Sequence, residues 1–552
     1  MGHGVAMTLQ LRTAATQNKT SPADQTGGPD TVFSVLARHA VTAPRADALS
    51  GAGEVWSYGR LIAESEAVAA RLVSLAGTDA RVAVIADNHP LTCIVYLACA
   101  RAGLVVSLVN SRFRQDELAV VFAKLEPHLV VTDAAHHADV DAALEAAGLV
   151  PKRAALERDA SGLDSVDGWT GSSGYTGPQP LAEAIFEITW TSGTTSAPKG
   201  AMLTHATALY RAACEAELFG LGPDDTAAVI TPLFHQSGIR NTVLASWAAG
   251  GHAVVLPRFD AATFWADIAR YRVTYLCMVE TILLMLERNP PSAAERDNTL
   301  RRVLAAGDPN VVRRCEQRFG FRVVQVWGMT ETGVSTGVPR TLPMERVNML
   351  RDWGNGAPLA GWALGDSKVR LVRDGAVVDG EGAQGEIQFA SPMLFSRYFR
   401  DEAATTASFD GEWFRTGDLG MYGPEGALYF LDRIKDVIRR GGENIASKQV
   451  EDVLALHPRV AKVAVIPVPD PLFMQEVMAV VVADGAVSAD ELWAWCDARL
   501  ARYKVPRYLR FLDALPVNGS GRVQKQVLIK VAMESGVIDR RAGKAASGEV
   551  TS

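Results

Sequence analysis

No two of the six cysteines stand in a CxxC pair, and no His/Cys cluster has zinc-ligand spacing. Cys93, Cys99, Cys214, Cys277, Cys315 and Cys496 are scattered, and they read as reduced core or surface thiols rather than a metal or disulfide framework. Long apolar runs are missing too. The best stretch, 92–109, is broken by Arg101 and Gly103, short of the roughly 18 residues a membrane-crossing helix needs. The first residues lack the basic-then-apolar pattern of a signal peptide. A soluble, cytoplasmic protein with no membrane partner is the expectation. Nor is there a basic excess: 55 Lys and Arg face 62 Asp and Glu, a net charge of −7. That balance argues against a nucleic-acid or anionic-membrane binder and leaves room for a local basic patch on a nucleotide. No internal repeat is visible.

What is present is a long chain of ordinary globular composition. Its 552 residues, 48% hydrophobic and 21% charged, exceed what one compact core accommodates, so at least two domains are expected. Residues 1–30 and 541–552 are polar and predict disordered tails. From residue 55 helical and strand patterns alternate: helix over 63–75, strand over 82–86, helix over 91–102 closed by Gly103, strand over 104–109, helix over 115–124, strand over 129–132. Residues 155–180 are rich in Gly, Ser and Asp and read as a loop. Strands then resume at 185–190, 227–231, 253–256, 275–278 and 323–326. Such alternation predicts right-handed βαβ units and mostly parallel sheets flanked by helices. Near residue 432 the pattern changes to helix 448–456, strands 463–468 and 477–483, helix 489–501 and strand 508–512. The fold class predicted is therefore α/β, with a large N-terminal domain (31–435) and a small, mobile C-terminal lid (436–540).

After the apolar strand ending at Trp190 comes Thr191-Ser192-Gly193-Thr194-Thr195-Ser196-Ala197-Pro198-Lys199-Gly200, with a helix expected from near His205. Glycines and small hydroxylated residues let backbone N–H groups and hydroxyls approach phosphate oxygens, and Lys199 adds a cation. The spacing is not that of the GxxxxGK[ST] loop. By itself such a segment is also compatible with a surface turn.

Three further segments settle the reading. Trp327-Gly328-Met329-Thr330-Glu331, Phe414-Arg415-Thr416-Gly417-Asp418-Leu419 and the stretch 432–445, DRIKDVIRRGGENI, follow the loop in order. Together the four resemble the motifs of the adenylate-forming superfamily of acyl-CoA ligases, amino-acid adenylation domains and beetle luciferases. PLFHQSG at 232–238, RRGGENI and the SGTTS variant look most like the carnitine-CoA and medium-chain acyl-CoA ligase branch.

The resemblance implies an acyl-CoA ligase of the acid–thiol type. A carboxylate attacks the α-phosphate of ATP, with Mg²⁺, and coenzyme A then displaces AMP from the acyl-AMP. Thr191, Ser192, Gly193, Thr194, Thr195 and Lys199 would hold the phosphates. Thr330 would contact the α-phosphate, and Glu331 would help hold Mg²⁺. Gly307, Asp308 and Gly328 would line the nucleotide, and Trp327 would stack on adenine in place of the usual Tyr. Asp418 would accept both ribose hydroxyls, supported by Arg433. His235 would gate the acyl pocket, bounded by Gln236, Ser237, Gly238, Ala306, Gly307 and Met329. Asp436 would be the hinge of the lid, and Gly441 and Gly442 would let the backbone lie against pantetheine.

One departure concerns the last family motif, LP-x-T-x-x-GK-[IV]. Here 515–525 reads LPVNGSGRVQK, so Arg522 holds the place of the catalytic Lys and Lys525 lies three residues on. Arg is planar and forked where Lys is a compact point charge. The expectation is that adenylation is weakened or lost while thioester formation from a supplied acyl-AMP survives, which implies a partner ligase. Alternative readings are a carrier-protein-loading enzyme acting in trans and a non-catalytic binder of acyl-AMP or nucleotide. A homodimer is possible. The sequence does not name the acid.

Overall fold

The computed structural model describes residues 30–191, 198–296, 298–305, 307, 309–354, 356–440, 443–517, 522–534 and 536–541. Three sheets organise it. The first runs in the order Lys152–Ala155, Leu129–Thr132, Arg81–Ile85, Val105–Leu108, Ile185–Thr191, Lys199–Thr204. All its neighbours are parallel except the last pair, a hairpin that ends on Thr191 and restarts on Lys199. Helix Pro90–Ala102 lies buried on every residue, opened by a proline at its first turn and stopped by Gly103 in the left-handed conformation. Helix His205–Phe219 starts where expected, with Thr204 accepting from the Thr207 backbone, and closes on a left-handed Gly220.

The second sheet is parallel through Asp47–Gly51, His252–Val255, Thr226–Val229, Tyr275–Cys277, Arg302–Ala305 and Arg322–Met329. It then turns antiparallel: Gly333–Gly337, Leu359–Ala363, Leu428–Arg433, Trp413–Tyr422, Gln384–Ala390 and Lys368–Arg373. This antiparallel half is absent from the sequence-based reading, which tracked only the parallel strands. The loop expected over 155–180 contains one turn of helix, Val166–Trp169. A third sheet, from Ile438–Arg440 to Val537–Asp539, carries the C-terminal part. Its longest pair is the antiparallel Val460–Asp470 and Met474–Ala483. The short 3₁₀ turn Ile434–Asp436 and Val437 separate the last strand of the large sheet from the first strand of the small one. All six cysteines are buried and free. Among the described residues no helix is long and apolar enough to cross a membrane.

The switch from parallel to antiparallel pairing is made by the hairpin Arg322–Met329/Gly333–Gly337, with Thr330, Glu331 and Thr332 in its turn. Its closure needs Gly328: a Cβ there would lie 1.9 Å from the Gly333 carbonyl oxygen. Gly333 sits at φ +68°, against the side chain of Arg211. Gly328→Ala is therefore expected to destabilise the fold by about 2–3 kcal/mol. The check is the urea midpoint, and an unchanged midpoint would show that the hairpin accommodates the methyl.

Candidate active site

The site is built around the Thr330–Glu331 turn. Arg211, buried on helix His205–Phe219, donates from Nη1 to Thr330 O at 3.1 Å, from Nη2 to Glu331 O at 2.7 Å and from Nε to Met393 O at 2.7 Å. Desolvation pushes its pKa down to about 9. The Glu331 side chain is buried as well, and its Oε1 accepts from the Tyr398 hydroxyl at 2.7 Å. Tyr398 is brought there by residues 395–399, which hydrogen-bond along the strand Lys199–Thr204 and to Glu331 O. On the other side of its ring lies Lys199, with Nζ 5.0 Å from the centroid. One tyrosine thus lies between Lys199 and Glu331.

The second half comes from the antiparallel sheet. Asp418 and Arg433 are register partners on adjacent strands. Arg433 Nη1 lies 2.9 Å from Asp418 Oδ1, and the Trp327 indole donates to Asp418 Oδ2 at 2.9 Å. Asp418 sits within a strand, its carboxylate almost wholly buried. Desolvation raises its pKa to about 6, opposed by Arg433 and by the Trp327 hydrogen bond, while the charges of Asp432 and Glu331 add to the rise. Trp327 is itself buried, edge-on to Phe389. The structure thus gives it a partner the sequence did not suggest.

His235 follows the loop 231–233, which Asn88 pins by donating to Thr231 O and Leu256 O and accepting from Leu233 N. Burial first, then the charges of Arg522, Arg112 and Arg240, lower the His235 pKa to about 4, so the ring is neutral at physiological pH. Gly238 must lack a side chain, because a Cβ would meet Pro232 O at 2.4 Å. Ser237 O accepts from Thr242, and Met329 packs beside Phe395 and Phe414. A Cβ on Gly307 would touch the Glu280 carboxyl. Glu280 in turn faces Lys448 of the C-terminal part at 3.5 Å.

The C-terminal part brings Arg522 to this cleft. Desolvation and the Arg433 charge lower its pKa, while Asp418 and Glu331 act the other way, so those groups stand within electrostatic reach of it. Lys525 is not brought there. It donates to Ser447 Oγ at 2.6 Å and pairs with Glu451 at 2.7 Å inside the C-terminal part. Ser447 in turn donates to Asp432 at 2.8 Å. Asp436 lies in the connecting turn, its pKa raised chiefly by desolvation. Thr191 pairs with Lys199 at the base of the hairpin. Ser192, Gly193, Thr194, Thr195, Ala306, Asp308, Gly441 and Gly442 lie outside the described residues.

The geometry joins Lys199, a buried acid on a clamped turn, a buried acid facing an arginine, and an arginine from the C-terminal part. A model of the AMP-binding enzyme family matches residues 36–399, and one of the AMP-binding enzyme C-terminal domain matches 449–522. The chain belongs to the AMP-binding enzyme family. It is 34% identical to sulfoacetate–CoA ligase of Cupriavidus necator over 462 residues, 83% of this chain and 88% of that one. It is 28% identical to crotonobetaine/carnitine–CoA ligase of Escherichia coli over 81% of this chain and 88% of that one. Among solved structures, o-succinylbenzoate CoA synthetase from Bacillus subtilis, in complex with its acyl-adenylate intermediate, superposes with a TM-score of 0.78 at 28% identity, covering 90% of this chain and 98% of that one. The family membership agrees with the motifs, and the adenylate-forming architecture agrees with the fold class expected of them.

Arg211, Tyr398 and Asn88 are site residues the motifs did not flag. Each acts on a motif residue from a distant segment. A weak signal existed for Tyr398 alone, which stands between Phe395 and Phe399.

A carboxylate accepts two hydroxyl protons only when ionised. With Asp418 raised to about 6, adenosine affinity is expected to be flat above pH 7 and to fall about tenfold per unit well below pH 6, since protonation removes the acceptor. Folding raises this pKa, so the same ionisation costs stability as pH climbs from about 4 to 6. Trp327→Phe removes a hydrogen bond that lowers the pKa, so it is expected to shift the binding midpoint upward. Calorimetric titration of adenosine from pH 5 to 8 decides it, and a pH-independent affinity would sink the assignment.

Proposed function

We propose that this chain is an acid–thiol ligase that converts a carboxylic acid, through its acyl-adenylate, to a coenzyme A thioester. The observation that carries the reading is the convergence of Lys199, Glu331, Asp418, Arg433 and the incoming Arg522 on one cleft. In this reading Lys199 and the loop before it neutralise the β- and γ-phosphates of ATP. Asp418 accepts the ribose hydroxyls and Arg433 keeps that carboxylate charged. Neutral His235 stands between acyl group and thiol without adding charge of its own. Sulfoacetate, crotonobetaine/carnitine and o-succinylbenzoate name the acids of the relatives, and support a CoA thioester as the product here.

Mg²⁺ fits the donor set. That ion is held by one or two carboxylates together with substrate phosphates rather than by a protein cage. Among the described residues no cluster of three or more His, Cys, Asp or Glu forms such a cage. Glu331 would be its protein ligand, oriented by Tyr398 through one carboxylate oxygen. When bound it would offset negative charge at the phosphates.

The adenylating half depends on Arg522. It stands where a point charge would bridge carboxylate and phosphate, and a guanidinium spreads that charge over a plane. We infer that adenylation is slow and that thioester formation from acyl-AMP is retained, with a partner ligase supplying the adenylate. Arg522→Lys is expected to raise acid-dependent pyrophosphate release by 10²–10³, about 3–4 kcal/mol. Thioester formation from synthetic acyl-AMP and coenzyme A is expected in the unaltered protein. Rapid pyrophosphate release before substitution would overturn the slow-adenylation reading. Failure to make thioester from any acyl-AMP would overturn the ligase reading itself.

A further inference from the structure

Behind His235 the chain enters a single π-helical stretch, Ile239–Leu244, all of it buried. Such widened turns are rare and recur at functional sites. This one carries Arg240, whose side chain is 3% exposed. Its Nη1 is fully engaged, donating to Glu187 Oε1 at 2.8 Å and to Thr189 Oγ1 at 2.6 Å. Its Nε and Nη2 are buried and make no hydrogen bond among the described residues, and neither does the buried Oε1 of Gln236, next to His235. Buried polar groups are rarely left in that state, and a charged donor least of all.

The two free nitrogens are a matched pair. Nε and Nη2 form the side edge of the guanidinium, the fork that meets two oxygens of one acidic group. Glu187 pairs with Arg240, and Arg211 also lies within electrostatic reach of it, with Glu187, Glu215 and Glu331 as the acids around the two cations. Of these, Glu215 is pushed up to about 8 by desolvation and is mostly protonated at neutral pH. Asn241 offers no substitute. With its amide oriented so that nitrogen donates, it is taken up by Gln236 O and Glu215 Oε1 at 3.2 Å each. Arg240 stands five residues after His235, and its charge lies within electrostatic reach of that ring.

We propose that the Nε/Nη2 edge of Arg240 binds a second acidic group on the substrate, a carboxylate or sulfonate remote from the carboxylate that is activated. This rests on the ligase reading and adds a substrate class to it: short acids with two anionic ends. Arg240 is then a specificity-determining residue, and the Gln236 carbonyl is an acceptor for any hydroxyl or N–H the acid carries beside that group.

The experiment supplies synthetic acyl-adenylates in matched pairs, succinyl with butyryl and glutaryl with pentanoyl, plus a sulfonate-ended counterpart. It reads thioester formation with coenzyme A, and calorimetric binding of the corresponding acyl-sulfamoyl adenosines. The expected result is a preference of at least 10² in kcat/KM for the doubly anionic member of each pair. Arg240→Gln is expected to collapse that ratio towards one. Arg240→Lys keeps the charge on Glu187 but lacks the fork, and is expected to lose about tenfold of it. Equal or better use of the monoacids by the unaltered protein overturns the proposal, whether or not the variants fold. So does a ratio that Arg240→Gln leaves intact. Turnover of monoacids only would leave the ligase reading standing without this subsite, whereas no thioester from any adenylate would remove both.

Discussion

The Arg211 guanidinium holds three backbone carbonyls from two separate segments, and the site is arranged around that grip. A buried cation pays a large desolvation cost, and carbonyl dipoles offset it only when all are in place. The turn at Thr330–Glu331 therefore cannot drift without leaving charge unpartnered in the interior. Gly333 lacks a side chain where the Arg211 methylenes pass, and Gly328 lacks one where the hairpin closes on itself. Glu331 is fixed at both ends, its backbone by Arg211 and its carboxylate by Tyr398. The position of one acid thus depends on a helix, a hairpin and a connecting segment meeting at a single point.

Charge in the cleft is set by environment more than by residue type. Three groups that would ordinarily be charged or half-charged at neutral pH are shifted towards neutrality by burial: His235 to about 4, Glu215 to about 8 and Asp418 to about 6. Asp418 alone has an arginine and an indole donor on its two oxygens, which limits its rise. Two pairs of guanidinium groups, Arg240 with Arg211 and Arg433 with Arg522, lie within electrostatic reach of each other, with Glu187, Glu331 and Asp418 among them. On the C-terminal side, Lys448 reaches Glu280 across the domains. Lys525 is held inside by Glu451 and Ser447, so Arg522 is the cation of that segment that faces the cleft.

The parallel strands and their helices were legible because each is a local pattern: an apolar run of strand length, a helix with its proline start or glycine stop. The antiparallel strands between 333 and 433 were not. Lys368–Arg373 and Trp413–Tyr422 are half-exposed and mixed in composition, and they become strands through partners tens of residues away. Thr330 lies in a hairpin turn because Gly333–Gly337 folds back on Arg322–Met329, a pairing that no local pattern announces. Lys525 shares a motif with Arg522 but points into its own domain, a distinction of three residues along a turn that no spacing rule resolves.

The sequence by itself determined the family, the order of its motifs and the exchange of Lys for Arg at 522, since these are identities at positions along the chain. Asp436, which the resemblance put at the hinge, lies in the 3₁₀ turn Ile434–Asp436 between the strands Leu428–Arg433 and Ile438–Arg440. Only the tertiary structure decided which residues act on the motifs from elsewhere: Arg211 on the turn, Tyr398 on Glu331, Trp327 on Asp418, Asn88 on the loop before His235. It alone decided that Arg240 keeps one edge unspent. Such pairings arise when distant segments are buried together, and burial is what turns a polar side chain from a solvated surface group into one that must find a partner.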